Sequence, residues 1–176
     1  MTASGAKETF RKITADYFNG YTVIFANQSR IVKPEIPLVT ILPGNVHRPL
    51  TPNQIISEGI QIGHYLSRIS FTVDLFTNGT PVEDEDCDTV AYENTAMDEM
   101  LAFANYLNSP SGLDVSDRYD VTFLIESDAQ DLTGAVNDNN YEYRARLEVL
   151  FYFTQDTGTG VGDMGYFDET TVSEET

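Results

Sequence analysis

The chain has 176 residues, one cysteine and a formal net charge of −18. This length suits one domain of ordinary size, and the sequence contains no run of about 18 apolar residues, as a membrane-spanning helix would require. Residues 1–80 hold seven Lys/Arg and five Asp/Glu, whereas residues 81–176 hold three Lys/Arg and 23 Asp/Glu. This distribution argues against a protein that binds duplex DNA through a basic surface.

The N-terminal half predicts one helix followed by strands. Apolar residues at helical spacing predict a helix over residues 6–18, which Asn19 and Gly20 end. Residues 21–25 and 36–42 are rich in β-branched side chains and predict two strands, and the proline-rich residues 43–52 predict a loop. Residues 58–77 predict a long strand whose apolar positions change parity, so a bulge or turn is expected near Ser67 and Arg68.

The C-terminal half predicts a second helix and two final strands. An acidic run at residues 83–88 leads into a helical pattern over residues 89–108, which places these acids at the helix N-terminus. Residues 108–112 are rich in helix-ending types. Residues 119–126 and 139–155 alternate like strands, with a polar loop between them. Residues 158–176 are glycine-rich and then acidic.

This order of elements predicts an α+β fold, a mainly antiparallel sheet with two helices packed on one face. The predicted domain covers residues 1–157, and residues 158–176 form a tail. The helices are expected to cover the odd-numbered positions from 143 to 153. The opposite parity begins polar and ends apolar at Leu150 and Tyr152, so its apolar end needs a cover. A loop, the tail through Tyr166 and Phe167, or a neighbouring subunit would each supply one.

The chain lacks the residue patterns of known catalytic centres. His47 and His64 are too far apart in sequence to form a standard metal motif, and the carboxylates beside Cys87 disfavour a reactive thiolate. A single cysteine forms no internal disulfide, which fits a reducing cytoplasm. Calcium is the one cofactor that the acidic run suggests, but the spacing of an EF-hand loop is absent. We therefore expect neither an enzyme nor a bound cofactor, and a Ca²⁺-dependent binding module is an alternative.

Several local strings resemble the neck or tail terminator proteins of tailed bacteriophages. They are SRISFTVDLFTNG (67–79), MDEMLAFANYLNSPSGLD (97–114) and DVTFLIESDAQDLTGAVNDNNYEYRARLEVLFYFTQ (120–155). Within them, the strand end from Asp74 to Gly79, the Asp131-Leu132-Thr133 loop and the Tyr141 to Ala145 segment match features of that family. The resemblance covers roughly residues 7–155.

The resemblance implies a structural virion protein. Such a protein forms a ring, commonly of six copies, that caps the tail tube beneath the head–tail connector and lets DNA pass without specific binding. The implied partners are further copies of the chain, the tail tube protein and the connector or stopper protein, with the tail sheath as a further candidate and no membrane. Another head–tail joining protein, such as a head-completion protein, a stopper or a tube-like subunit, is the alternative within the virion.

Two sets of residues are candidates for contacts in such a ring. The subunit-interface candidates are Tyr141, Arg144, Arg146, Leu150 and Tyr152. The acidic candidates, which would face the bore or the outer surface, are Glu83, Asp84, Glu85, Asp86 and Asp88.

Overall fold

The structure is a computed structural model that describes residues 1–26, 34–57, 60–83, 89–137 and 140–156. The helices are α1 (Ala3–Tyr17), α2 (Ala96–Leu107) and α3 (Pro110–Tyr119). The strands are β1 (Thr22–Phe25), β2 (Leu38–His47), β3 (Asn53–Ser57), β4 (Ile60–Thr77), β5 (Thr80–Glu83), β6 (Thr89–Glu93), β7 (Val121–Ile125), β8 (Gln130–Asp131), β9 (Gly134–Asn137) and β10 (Asn140–Asp156).

The main sheet runs in the order β1-β2-β4-β10-β7, and its centre is the long antiparallel pair of β4 and β10. Among the described strands, only β1 and β2 pair in parallel. Strand β3 extends the sheet beside β4, and β8 and β9 extend it beside β10, while β5 and β6 form a separate two-stranded sheet. The predicted α+β class with a mainly antiparallel sheet is confirmed.

The core lies between the helices and the odd-numbered side chains of β4, β7 and β10. In α1, Phe10 stacks on Phe71 of β4 with ring centroids 4.2 Å apart, and it meets the edge of Phe151 of β10 at 5.7 Å. Offset and edge-to-face aromatic pairs of this kind add to the free energy gained from apolar burial. The predicted burial of the odd-numbered positions of β10 is confirmed, since Ala145, Leu147, Val149, Phe151 and Phe153 are all buried.

The first helix is present as predicted, but it begins at Ala3 and not at residue 6, and it ends at Tyr17, one residue before the predicted end. The Thr2 side chain accepts a hydrogen bond from the Gly5 N–H, which satisfies one of the donors that a helix start leaves free. At the other end, Gly20 has a φ of 91°, a conformation that glycine adopts without steric cost. The helix is therefore limited at both ends by local sequence.

The prediction of one helix over residues 89–108 is wrong at its start. Residues 89–93 form strand β6, which pairs with β5, and α2 begins only at Ala96. The β-branched residues at 89 and 90 suit this strand. The acidic run at residues 83–88 therefore precedes a strand, and it does not stand at the N-terminus of the helix.

The structure also has a third helix where two were predicted. Ser109 caps α3 by accepting from the Gly112 N–H, and Pro110 occupies the first turn, where a missing N–H costs nothing. Residues 108–112, which were predicted to end a helix, therefore follow the end of α2 and also begin α3. A Cβ added at Gly112 would lie 2.3 Å from the Tyr106 carbonyl oxygen, so glycine lets α3 pack closely on α2.

Strand β4 contains no bulge or turn at Ser67 and Arg68. Its pairing with β10 keeps one register from His64 to Thr77. The register shift lies instead on β2, between Pro43 and Val46, so part of the predicted loop at residues 43–52 is strand. The parity change was misleading because Leu66 is an exposed apolar residue on the second face and not a core residue.

Candidate functional site

The sheet has a second face that points away from the helices, which we call the outer face. The buried apolar residues of α1 and α2 pack with the odd-numbered residues of the sheet in one core cluster. Strand side chains alternate between the two faces, so the even-numbered residues of β4, β7 and β10 form the outer face. This face contains four of the five interface candidates, namely Arg144, Arg146, Leu150 and Tyr152.

An apolar strip crosses the outer face near the end of β10. We define the apolar strip as Leu66, Leu124, Leu150 and Tyr152. Leu150 lies directly opposite Leu124 of β7, and Tyr152 lies one row further along β10, opposite Arg68 of β4. Leu66 and Leu124 are 58% and 50% exposed, and Leu150 and Tyr152 are half-buried. Directly opposed and diagonal side chains of this kind are in contact range, so the strip is one continuous, solvent-accessible surface.

Two depressions flank the apolar strip. One, of about 470 Å³, separates Leu66 and Tyr152 from Asp117 and Asp120 at the end of α3. The other, of about 250 Å³, lies beside Leu150 and is lined by His47, Arg68, Ser70 and Glu126, among others. In the described part of the chain, no group of three or more His, Cys, Asp or Glu side chains is placed to hold a metal ion. The outer face therefore has two open depressions beside exposed apolar side chains.

Two arginines of β10 share one aspartate of β4 at the other end of the outer face. Arg146 donates from Nε and Nη2 to the two Asp74 carboxylate oxygens at 2.8 and 3.1 Å, and Arg144 Nη2 donates to Asp74 Oδ2 at 3.0 Å. These hydrogen bonds raise the pKa of Arg146 above its usual value. Glu148 of β10 also interacts electrostatically with Arg146, so acidic side chains balance the arginine pair.

The environment of Arg144 completes this cluster. Its guanidinium lies over the Phe76 ring, 5.0 Å from the centroid. Its Nε is buried and has no hydrogen-bond partner. A charged donor in this state favours an added acceptor.

The other candidate residues are distributed as follows. Tyr141 lies in β10 opposite Ala135 of β9, and its side chain is outside the described part. Glu83 is exposed at the end of β5, and Asp84, Glu85, Asp86 and Asp88 lie outside the described residues.

Both histidines have unremarkable surroundings. His64 Nδ1 lies beside the Asp156 carboxylate at the end of β10, and its side chain is 27% exposed. His47 is an exposed residue of β2 beside Arg68.

Sequence analysis missed three residues of the outer face. Asp74 interrupts an apolar strand, which was a usable signal of a buried ion pair. Leu66 was taken as part of the parity change in residues 58–77, and Leu124 was left without a role although it stands between Phe123 and Ile125, which pack in or against the core. All three were obscured because the sequence does not show which strands are neighbours.

The described part of the chain is an α+β domain with an exposed apolar strip on the outer face of its main sheet. A family model described as phage neck terminator protein matches residues 8–175. The chain belongs to this family and is a structural protein of the phage neck. The match includes the acidic run and nearly all of residues 158–176, which extends it beyond the segments that carried the resemblance.

Two further observations complete the comparison. No curated protein matches the chain. Among the described residues, none of the helices combines the length and apolar character needed to cross a bilayer.

Proposed function

We propose that six copies of this chain form a ring that caps the tail tube, stops its growth and joins it to the head connector. DNA passes through the centre of the ring. The chain is assembled into the virion in the host cytoplasm. The observation that carries this proposal is the apolar strip, because a neck protein with two half-exposed leucines on an open sheet face gains free energy when another subunit covers them.

The distribution of charge supports passage of DNA without binding. The chain has 28 acidic and ten basic side chains. In the described part, three of the basic side chains, those of Arg68, Arg144 and Arg146, lie on the outer face. A surface dominated by carboxylates repels phosphates. Glu83, Asp84, Glu85, Asp86 and Asp88 are placed by this proposal on the bore or on the outer surface of the ring.

The outer face supplies the contact residues of the ring. Leu150 and Tyr152 form apolar contacts together with Leu66 and Leu124. Arg144 and Arg146 keep their bonds to Asp74, and the exposed third of each side chain contacts acids of a neighbour. Tyr141 extends the contact along β10.

A tube-length assay tests the proposal. Tail tube protein is polymerised with and without the purified chain, and tube lengths are measured by electron microscopy while native mass spectrometry gives the number of copies in a ring. Wild-type protein is expected to form rings and to shorten the tubes. Tubes of unchanged length, together with a chain that never assembles, would contradict the proposed function.

Lysine substitutions on the two sides of the molecule give a matched comparison. Leu66→Lys and Leu124→Lys place a charge in the apolar strip, and we expect loss of ring formation and of capping. Leu101→Lys and Leu113→Lys are the controls, because these helix residues are similarly exposed at 45% and 59%. All four variants are expected to unfold within about 0.5 kcal/mol of wild type, as is usual for surface substitutions, and equal loss of assembly in both pairs would contradict a role of the strip.

A further inference from the structure

The main sheet ends in two unprotected edge strands. In the described part of the chain, β1 pairs only with β2 and β7 pairs only with β10. Their sequences are TVIF and VTFLI. Neither contains the charged residues, proline or bulge-forming glycine with which proteins usually prevent an edge from pairing with another chain. Both edges are therefore competent to accept a further strand.

The backbone hydrogen bonds show which groups point outward at the β1 edge. The Thr22 and Ala26 N–H groups donate to the Pro37 and Ile41 carbonyls of β2. Alternate residues of a strand bond to the same side, so Val23 and Phe25 direct their N–H and C=O groups away from the sheet. The side chains of both residues pack against the core.

The β7 edge has the same relation between backbone and side chains. The Glu126 N–H donates to the Glu148 carbonyl of β10, which makes the even-numbered residues of β7 the ones bonded to β10. Val121, Phe123 and Ile125 therefore direct their backbone groups outward, and their side chains also lie on the core side. If β7 of one copy pairs with β1 of another, core-side residues of one strand lie opposite core-side residues of the other. No one-residue shift in register is needed to keep the two faces of the sheet continuous.

The directions of the two strands also match. Strand β7 is antiparallel to β10, β10 to β4 and β4 to β2, while β1 is parallel to β2. Strands β7 and β1 consequently run in opposite directions. Rotation about an axis parallel to the strands preserves direction in every copy, so β7 of one copy meets β1 of the next as an antiparallel pair, which is the more frequent arrangement.

We propose that β7 of each copy pairs with β1 of the neighbouring copy, so that one antiparallel ladder joins successive subunits of the ring. This inference rests on the proposed function, because a head-to-tail contact between two different surfaces must close by rotation or else form a filament. The ladder pairs the outward groups of Val121, Phe123 and Ile125 with those of Val23 and Phe25. On the outer face it brings Leu124 towards Ile24 of the next copy, which covers one end of the apolar strip. The rest of the strip, on the central strands β4 and β10, stays open for contact with the tail tube or connector protein.

Disulfide trapping tests the ladder directly. In a Cys87→Ser background, Thr22→Cys or Ile24→Cys is combined with Thr122→Cys or Leu124→Cys. These outer-face positions are not hydrogen-bonded across the proposed ladder, so their Cβ atoms approach within about 5 Å, close to disulfide geometry. The purified protein and assembled particles are oxidised and run on non-reducing gels. We expect at least one pairing to give covalent multimers up to the full ring, with more than half of the copies linked.

The control moves one cysteine to the interior of the sheet. In the control, the cysteine on β1 is replaced by Thr40→Cys on β2, which is combined with Leu124→Cys. We expect fewer than a tenth of the copies to be linked. Rings that form normally while none of the four pairings cross-links would overturn the ladder and leave the proposed function standing. Absence of any ring, in solution and in particles, would overturn both.

A proline substitution gives a second, non-covalent measurement. Ile125→Pro removes an N–H that points away from β10, together with a side chain that packs against the core. We expect the monomer to stay folded, with a smaller loss of melting temperature than Leu124→Pro, while ring formation is lost. Leu124→Pro is the contrast, because it removes a bond of the β7–β10 ladder and lowers the melting temperature of the monomer. Normal rings of Ile125→Pro would contradict the ladder.

Discussion

Asp74 shows how a single residue organises the outer face. Its carboxylate is nearly buried and accepts three hydrogen bonds from two arginines, whose side chains remain about one-third exposed. The sequence predicted that both arginines lie on this face, because they alternate with the buried residues of β10. It did not predict their shared partner, since Asp74 and Arg144 are 70 positions apart and meet only through the β4–β10 register.

The first prediction at this scale concerns the removal of that carboxylate. Asp74→Ala removes the carboxylate that both guanidiniums share and leaves Glu148 as a counter-charge for Arg146. We expect a loss of about 2 kcal/mol in the free energy of unfolding, below the usual cost for fully buried pairs because both arginines are partly solvated. Urea denaturation measures the loss. Asp128→Ala, at an exposed acid, is the control, and equal stability of the two variants would show that the cluster contributes nothing.

The second prediction concerns alkaline pH. Burial, followed by the hydrogen bond that Tyr21 donates to Glu99, raises the pKa of Tyr21 to about 12. The pKa in the unfolded chain is about 10, so the unfolded chain releases this proton first as the pH rises. The stabilisation is present in full below pH of about 10 and is lost between about 10 and 12.

Substitution of Tyr21 isolates this effect. Tyr21→Phe is expected to flatten the fall in stability above pH 10, as measured by urea denaturation across the range. Tyr92→Phe, at a tyrosine that is 54% exposed, should keep the wild-type slope. A Tyr21→Phe curve parallel to that of wild type would contradict the assigned cause.

At the scale of elements, β10 combines two functions in one strand. Its odd-numbered side chains form the centre of the core, where Phe151 contacts Phe10, Phe71 and Phe123 with centroid distances of 5.6 to 5.8 Å. Its even-numbered side chains form the outer face. The apolar run at the end of β10 therefore reflects two different partners, the helices on one side and, in our account, a neighbouring copy on the other.

Paired substitutions separate these two functions. Phe151→Ala creates a cavity among three aromatic rings, and we expect it to lower the free energy of unfolding by about 3–5 kcal/mol. Leu150 is half-buried on the outer face. We expect Leu150→Ala to lower the free energy of unfolding by less than about 1.5 kcal/mol and to weaken ring formation. Chemical denaturation and native mass spectrometry measure the two effects. A larger loss of stability for Leu150→Ala than for Phe151→Ala would reverse the assignment of the faces.

The sequence predicted elements well where local signals were strong. Helix α1 and strands β7 and β10 follow from apolar periodicity and from their end signals. The strand β6 and the helix α3 were missed because each is short and its pattern merges with that of α2. The β2 bulge was assigned to β4 because an exposed leucine and a core leucine cannot be distinguished without the neighbouring strands.

For the whole molecule, the sequence left one question open, namely what covers the outer face of the sheet. Within the described residues, the helices bury only the core side. The family match identifies a neck protein, and we propose that the apolar strip, the arginine pair and the two edge strands contact other subunits of the neck. The predicted boundary between a domain and a tail at residue 157 stays a prediction, because residues 157–176 lie outside the described part.

An electron-microscopy reconstruction of the phage neck at side-chain resolution tests the central claim most directly. The account predicts a closed ring of this chain at the end of the tail tube, with Leu66, Leu124, Leu150 and Tyr152 of each copy packed against protein. A neck in which the chain forms no ring, or in which these four side chains face solvent in every copy, would contradict it.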